Sequence, residues 1–122
     1  MAGRIGGKIG IISLDCWPPM TESEFLDLSD AVFAQIDTAL EDADLDVETL
    51  LSGNVFEIEF DDGSKIIVNR HVPNHEMWLA ARNGGFHYRL VDGQWRNTRG
   101  DGELFADLAA SVSLHAGVDF SF

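Results

Sequence analysis

The feature that most constrains this chain is a change of period. From Thr21 to about Asp44 the apolar residues recur at helical spacing, and Phe25, Leu28, Val32, Ile36 and Ala39 or Leu40 share one face. From Val47 the period becomes two, so that Phe56, Ile58 and Phe60 alternate with Glu57 and Glu59 as in a half-buried strand. Turn signals divide the rest: Ser52-Gly53-Asn54, Asp61-Asp62-Gly63, Asn83-Gly84-Gly85 and Asp92-Gly93. The other strands are expected at Val47 to Leu51, Lys65 to Arg70, Glu76 to Arg82, Phe86 to Val91 and Gln94 to Thr98, with Val72-Pro73-Asn74 breaking the series. Leu104, Phe105, Leu108 and Val112 mark a second helix from about Gly102 to Leu114. Turns this short join strands that lie side by side, which gives an antiparallel meander. The economical way to bury both helical stripes is a two-layer α-β sandwich of the α+β class. An antiparallel sheet of about six strands then carries the N- and C-terminal helices on one face.

The domain is expected to begin at Met20. Thr21-Glu22-Ser23-Glu24 reads as a capping box, in which the Thr21 hydroxyl and the Glu24 carboxylate each satisfy an amide that the helix cannot. Pro18-Pro19 stops the helix from running backwards. Residues 1–19 are therefore taken as an extension outside the fold, and residues 20–122 as the domain; the alternative is that the extension docks on the sheet as a strand. Its apolar run, Ile9 to Leu14, is broken by Gly10 and Ser13 and lacks a small-residue cleavage site, so it is not read as a secretory signal. No apolar stretch reaches the roughly 18 residues of a membrane span. The single cysteine, Cys16, fits a reducing compartment, and the expected location is the cytoplasm.

Charge is segregated along this order. Asp and Glu number 21 against 8 Lys and Arg, for a net charge of −13. Between Ile9 and Ser64 there is no Lys or Arg, while Glu22 to Asp62 holds 14 acidic residues. Such a surface does not bind nucleic acid through phosphates, which needs basic side chains. It favours cations and basic protein surfaces. The densest stretch, "EDADLDVE", runs from Glu41 to Glu48. Asp42, Asp44 and Asp46 have the opening spacing of a calcium loop, but Val47 stands where the tight turn needs glycine and Gly53 where the closing glutamate belongs. That excludes an EF-hand. An open carboxylate cluster remains, suited to hard, oxygen-preferring cations such as Fe, Mn, Mg or Ca, or else a merely solvated acidic face.

Catalytic motifs are absent: no nucleophile elbow, no phosphate-cradling glycine loop and no cysteine placed as a nucleophile. His71, His75, His87 and His115 have no metal-ligand spacing, because Pro73 keeps His71 and His75 off one helical face. Trp78 is more informative. In "EMWLAAR", Met77, Leu79 and Ala81 share one side of a strand and Trp78 the other. With the smaller apolar set toward the helices, Trp78 stands on the open face of the sheet, as a binding residue does; a loop covering it is the alternative.

The run "GSKIIVNRHVPNHEMWLAARNGGFHY", residues 63–88, closely resembles the signature region of the frataxins, with the bacterial branch most similar. The opening "MTESEFLDLSD", the acidic run, the "DGQW" turn and the closing "ELFADLA" follow the family's order from Met20 to about His115. The resemblance implies an α-β sandwich and a non-enzymatic role in iron–sulfur cluster assembly. It implies weak Fe²⁺ or Fe³⁺ binding, with other divalent ions tolerated, on an acidic ridge of the first helix and strand. It also implies binding and modulation of the cysteine desulfurase, with the scaffold protein as a second partner. Carried over, the ridge falls on Glu22, Asp37, Glu41, Asp42, Asp44, Asp46 and Glu48. The partner face falls on Asn69, His71, Glu76, Trp78 and His87. The chain is expected as a monomer, with metal-dependent oligomers open to it. Two alternatives stand beside the iron donor: a purely protein–protein regulator, and a ferroxidase. One departure bears on the metal: Leu26 occupies a position where many bacterial members carry a histidine near the helix start.

Overall fold

The computed structural model describes residues 20–122. The expectations for residues 1–19 lie outside the described residues. Helix α1 spans Glu22–Asp42 and α2 spans Leu104–Ala116. Between them run β1 (Val47–Ser52), β2 (Val55–Phe60), β3 (Lys65–His71), β4 (Glu76–Ala81), β5 (Gly84–Val91) and β6 (Gln94–Asn97). The six strands form one sheet in chain order, each pair antiparallel. A 3₁₀ turn, Val72–Asn74, joins β3 to β4, with Pro73 inside it and His75 left-handed after it.

The start of α1 is fixed by its caps. The Glu24 amide donates to the Thr21 hydroxyl at 3.1 Å, and the Thr21 amide donates to the Glu24 carboxylate at 2.9 Å. The Thr21 amide first, then the Thr21 side chain, hold the Glu24 carboxyl below its ordinary pKa. Helix α2 begins at Glu103, which accepts from the Phe105 and Ala106 amides, and ends at left-handed Gly117.

The core lies between the helices and one sheet face. Phe25, Val32, Phe33, Ile36 and Leu40 of α1 meet Phe56, Ile58, Ile66, Val68, Met77 and Leu79, while Leu104, Leu108 and Val112 of α2 close the other half. Leu28 departs from the expected stripe: it is 40% exposed. Its place is taken by Ser29 and Phe33, because at 100° per residue the buried face is centred between Ser29 and Ile36 and Leu28 lies at its far edge. A small residue is needed there, because the Arg70 guanidinium enters and donates to Ser29 Oγ at 3.0 Å and to Asp30 at 2.6 Å. Arg70 also lies over the Phe33 ring, 5.4 Å from its centre. On the α2 side, buried Tyr88 donates to Asp107 at 2.6 Å. Burial first, then Asp107, raises the Tyr88 pKa well above that of a free phenol.

Candidate functional site

The acidic ridge is built by the turn between α1 and β1 and by one strand pairing. Ala43 ends the helix, and Asp44 takes a left-handed φ of 54°, a conformation Asp tolerates better than most residues. This reverses the chain and lays β1 beside the last turns of α1. The Thr49 hydroxyl then donates to Asp37 at 3.1 Å. Asp37, Glu41 and Asp44 line one side of a shallow hollow of about 430 Å³ closed by Val47 and Thr49. The β1–β2 register puts Glu48 opposite Glu59. A second hollow, of about 220 Å³, is lined by Asp46, Glu48, Glu59 and Asp61.

Glu59 and Asp61 are ridge residues that the linear sequence does not single out. The signal for them was the Ser52-Gly53-Asn54 turn, which sets the register that pairs Glu48 with Glu59. Glu22 lies apart from the rest. It occupies the first turn of a 21-residue helix, about 30 Å from Asp42 at 1.5 Å per residue. Asp42 is exposed at the helix end and lines neither hollow. Among the described residues, none of Asp37, Glu41, Asp42, Asp44, Asp46, Glu48, Glu59 and Asp61 forms an ion pair with Lys or Arg. Nor do any three His, Cys, Asp or Glu there converge closely enough to hold one ion. The ridge is thus a string of oxygens rather than a closed cage. Such a donor set fits hard cations held by one or two carboxylates with water completing the shell.

The open face of the sheet is organised around Trp78. Strand register sets Asn69 and His87 on either side of it and pairs His71 with Glu76. The His71 ring stacks on one face of the indole and His87 on the other, each 4.2 Å away and within 10° of parallel. The Trp78 Nε1–H donates to Glu76 at 2.9 Å, and Arg89 donates to the other Glu76 oxygen at 3.0 Å. Trp78 is half-buried rather than free-standing, because the two imidazoles cover its faces. Glu76, expected on the open surface, is buried at 6% exposure beneath Trp78 and Arg89. Its burial is compensated by the charge-assisted bond to Arg89. Glu76 therefore holds the ladder in place from below. His71 Nδ1 is buried with no partner among the described residues. An apolar slot of about 380 Å³ runs beside the ladder along Ile67, Ala80 and Gly85. Leu26, at the non-histidine position, is half-buried, and its carbonyl accepts from Ser29 Oγ at 3.1 Å.

A six-stranded antiparallel meander, two helices on one face, an unpaired acidic ridge and a tryptophan on the open face define the class. Residues 18–118 match the frataxin-like domain, and the chain belongs to that family. It is 50% identical over 105 residues to the iron-sulfur cluster assembly protein CyaY of Cupriavidus metallidurans, covering 83% of this chain and 95% of that one. Among solved structures it is similar to the frataxin of Psychromonas ingrahamii, with a TM-score of 0.79 and 30% identity, covering 84% of this chain and 97% of that one. The fold also matches a trimeric frataxin of Saccharomyces cerevisiae in a ferrous complex. The TM-score there is 0.63 at 22% identity, covering 86% of this chain and 96% of that one. Among the described residues no helix is long and apolar enough to cross a membrane.

Proposed function

We propose that this protein serves iron–sulfur cluster assembly in the cytoplasm as an iron-handling adaptor rather than an enzyme. It holds Fe²⁺ or Fe³⁺ loosely on Asp37, Glu41, Asp44, Asp46, Glu48, Glu59 and Asp61, with Asp42 extending the field. It presents the same negative surface to a basic patch on the cysteine desulfurase. Asn69, His71, Trp78 and His87, held from below by Glu76, form the second contact, to the desulfurase or its scaffold protein. The observation that carries this reading is the run of ridge carboxylates with no basic counter-ion in the described residues. Uncompensated like charges cost stability, and a cation or a basic partner relieves the cost. The names of the assembly-protein relative and of the ferrous-complexed neighbour point the same way. The protein acts as a monomer that metal can bring into oligomers.

A second reading, in which the ridge regulates the desulfurase and iron is incidental, is favoured by one observation: among the described residues no three ligands converge on a point. An anaerobic titration separates the two. Desulfurase binding is measured with and without Fe²⁺ for the wild type and for Glu41→Gln/Asp44→Gln. The adaptor reading expects Fe²⁺ to change the affinity of the wild type more than that of the variant. Equal, iron-independent binding curves favour the regulator.

A further inference from the structure

His115 is a buried titratable group that neither surface uses. It lies in the last turn of α2 with 8% exposure, its ring 5.0 Å from that of Phe60. The backbone N–H of Arg82, just past β4, donates to Nε2 at 3.1 Å. An amide can only donate, so Nε2 carries no proton and the neutral ring is protonated at Nδ1. Nδ1–H therefore donates to Ser64 Oγ, at 2.9 Å. The Ser64 hydroxyl donates in turn to Asp62 Oδ1 at 2.6 Å, and the Arg82 guanidinium donates to Asp62 Oδ2 at 3.2 Å. The bonds form a closed ring through α2, the β2–β3 turn and the end of β4. The serine is not an activated nucleophile, because the imidazole offers it a proton rather than a lone pair.

Protonating this ring would set an Nε2–H against the Arg82 N–H, two donors facing at bonding distance. One of them must withdraw. We propose that His115 is a proton-operated latch: taking up a proton in mildly acidic solution, it lets the C-terminal end of α2 part from the end of β4. Asp62 and Arg82 face the imidazole directly. Asp44, Asp46 and Asp61 line the hollow of about 420 Å³ beside it. The last turn of α2 contributes no further charge.

The balance of these groups supports the latch. Burial first, then Arg82, lowers the His115 pKa below the ordinary 6.5, and Asp62 opposes them. The folded state thus prefers the neutral ring. Its contribution to stability is complete above pH 6.5 and is lost as pH falls from there toward the folded value. Asp62 does not blur this window, since the bonds from Ser64, then Arg82, hold its pKa at about 2. The latch stands apart from the metal reading and does not need it, although Asp44, Asp46 and Asp61 lie on the wall of its hollow.

The test is amide hydrogen exchange, corrected for intrinsic rates, on the full chain and on His115→Gln at pH 7.5 and 5.0. Glutamine can accept from Arg82 and donate to Ser64, but it does not titrate. Protection at Arg82 and in the last turn of α2 should fall several-fold more in the wild type than in the variant, because only the wild type takes up the proton. Parallel losses in both proteins overturn the proposal. A second measurement needs no variant: ¹⁵N shifts of the wild-type imidazole should report the Nδ1–H tautomer and a midpoint below 6.5. An Nε2–H tautomer, or a midpoint at or above that value, overturns it as well.

Discussion

The ridge and the Trp78 face carry the candidate function in opposite ways. On the ridge, Glu41, Asp42, Asp44, Asp46, Glu48 and Asp61 are exposed and Asp37 and Glu59 half-buried, and among the described residues Asp37 alone is tied to another element by a side-chain bond, from Thr49. On the sheet, three rings stack at 4.2 Å spacings over a buried carboxylate bonded to both Trp78 and Arg89. On the proposed function the ridge acts through a field, which tolerates displacement of any one group. The ladder acts through shape, which does not. A field speeds encounter and fades with salt over a Debye length of about 8 Å, whereas a rigid aromatic surface governs how long a complex lasts.

The largest expected effect follows from that contrast. Trp78→Ala removes the central ring of the ladder and should speed desulfurase dissociation about thirtyfold, equivalent to about 2 kcal/mol for a hot-spot aromatic. The fold should survive, because Met77 and Leu79, not Trp78, face the helices. Surface plasmon resonance gives the rate, and circular dichroism checks the fold; collapse would make Trp78 a core residue. Next comes charge reversal of Glu41, Asp42 and Asp44 to Lys. The association rate should fall about tenfold at low salt and lose most of its salt dependence, with dissociation little changed. Equal changes in both rates would erase the distinction between field and shape.

How far this contrast was legible in the sequence depends on the kind of contact involved. The capping box, the strand order and the open-face position of Trp78 follow from local chemistry and a period of two, which the sequence states directly. Leu28 was misplaced because an i, i+3 count does not say which edge of the helix the sheet covers. Glu59 and Asp61 join the ridge through register, a long-range property set by the turn at Ser52–Asn54. Glu76 looked like one more exposed carboxylate. Its burial depends on Arg89, thirteen residues away and opposite it across the β4–β5 pair. The His115 ring joins residues separated by up to 51 positions, so no local pattern marks it.

Glu76 allows a smaller, sharper test of the ladder. Glu76→Gln keeps an acceptor for Trp78 Nε1 but gives up the charge that meets Arg89. Arg89 is mostly exposed and can rehydrate, so the loss should be about 1 kcal/mol rather than the larger cost of a stranded buried ion. That corresponds to a fall of about 5 °C in melting temperature for a domain of this size. The ladder should loosen at the same time, which ring-current shifts of His71 and His87 would report. A lower melting point with unaltered ring shifts would mean that Glu76 supports the fold but not the ladder.

The smallest effect should come from metal. Fe²⁺ or Mn²⁺ binding the folded ridge raises stability by mass action, and at a concentration equal to its dissociation constant the gain is about 0.4 kcal/mol, or about 2 °C. The location of the response matters more than its size. Paramagnetic Mn²⁺ should broaden amide signals in residues 37–49 and 59–61 while leaving those around Trp78 sharp, since the ladder offers no open carboxylate and Glu76 is already bonded on both oxygens. Several ions should act alike, because unconverged carboxylates select little by geometry. Melts in NaCl of matched ionic strength provide the control. If NaCl gives the same shift, the ridge is only being screened. If Mn²⁺ broadens the Trp78 face first, metal belongs with shape rather than field, and the division between the two surfaces is wrong.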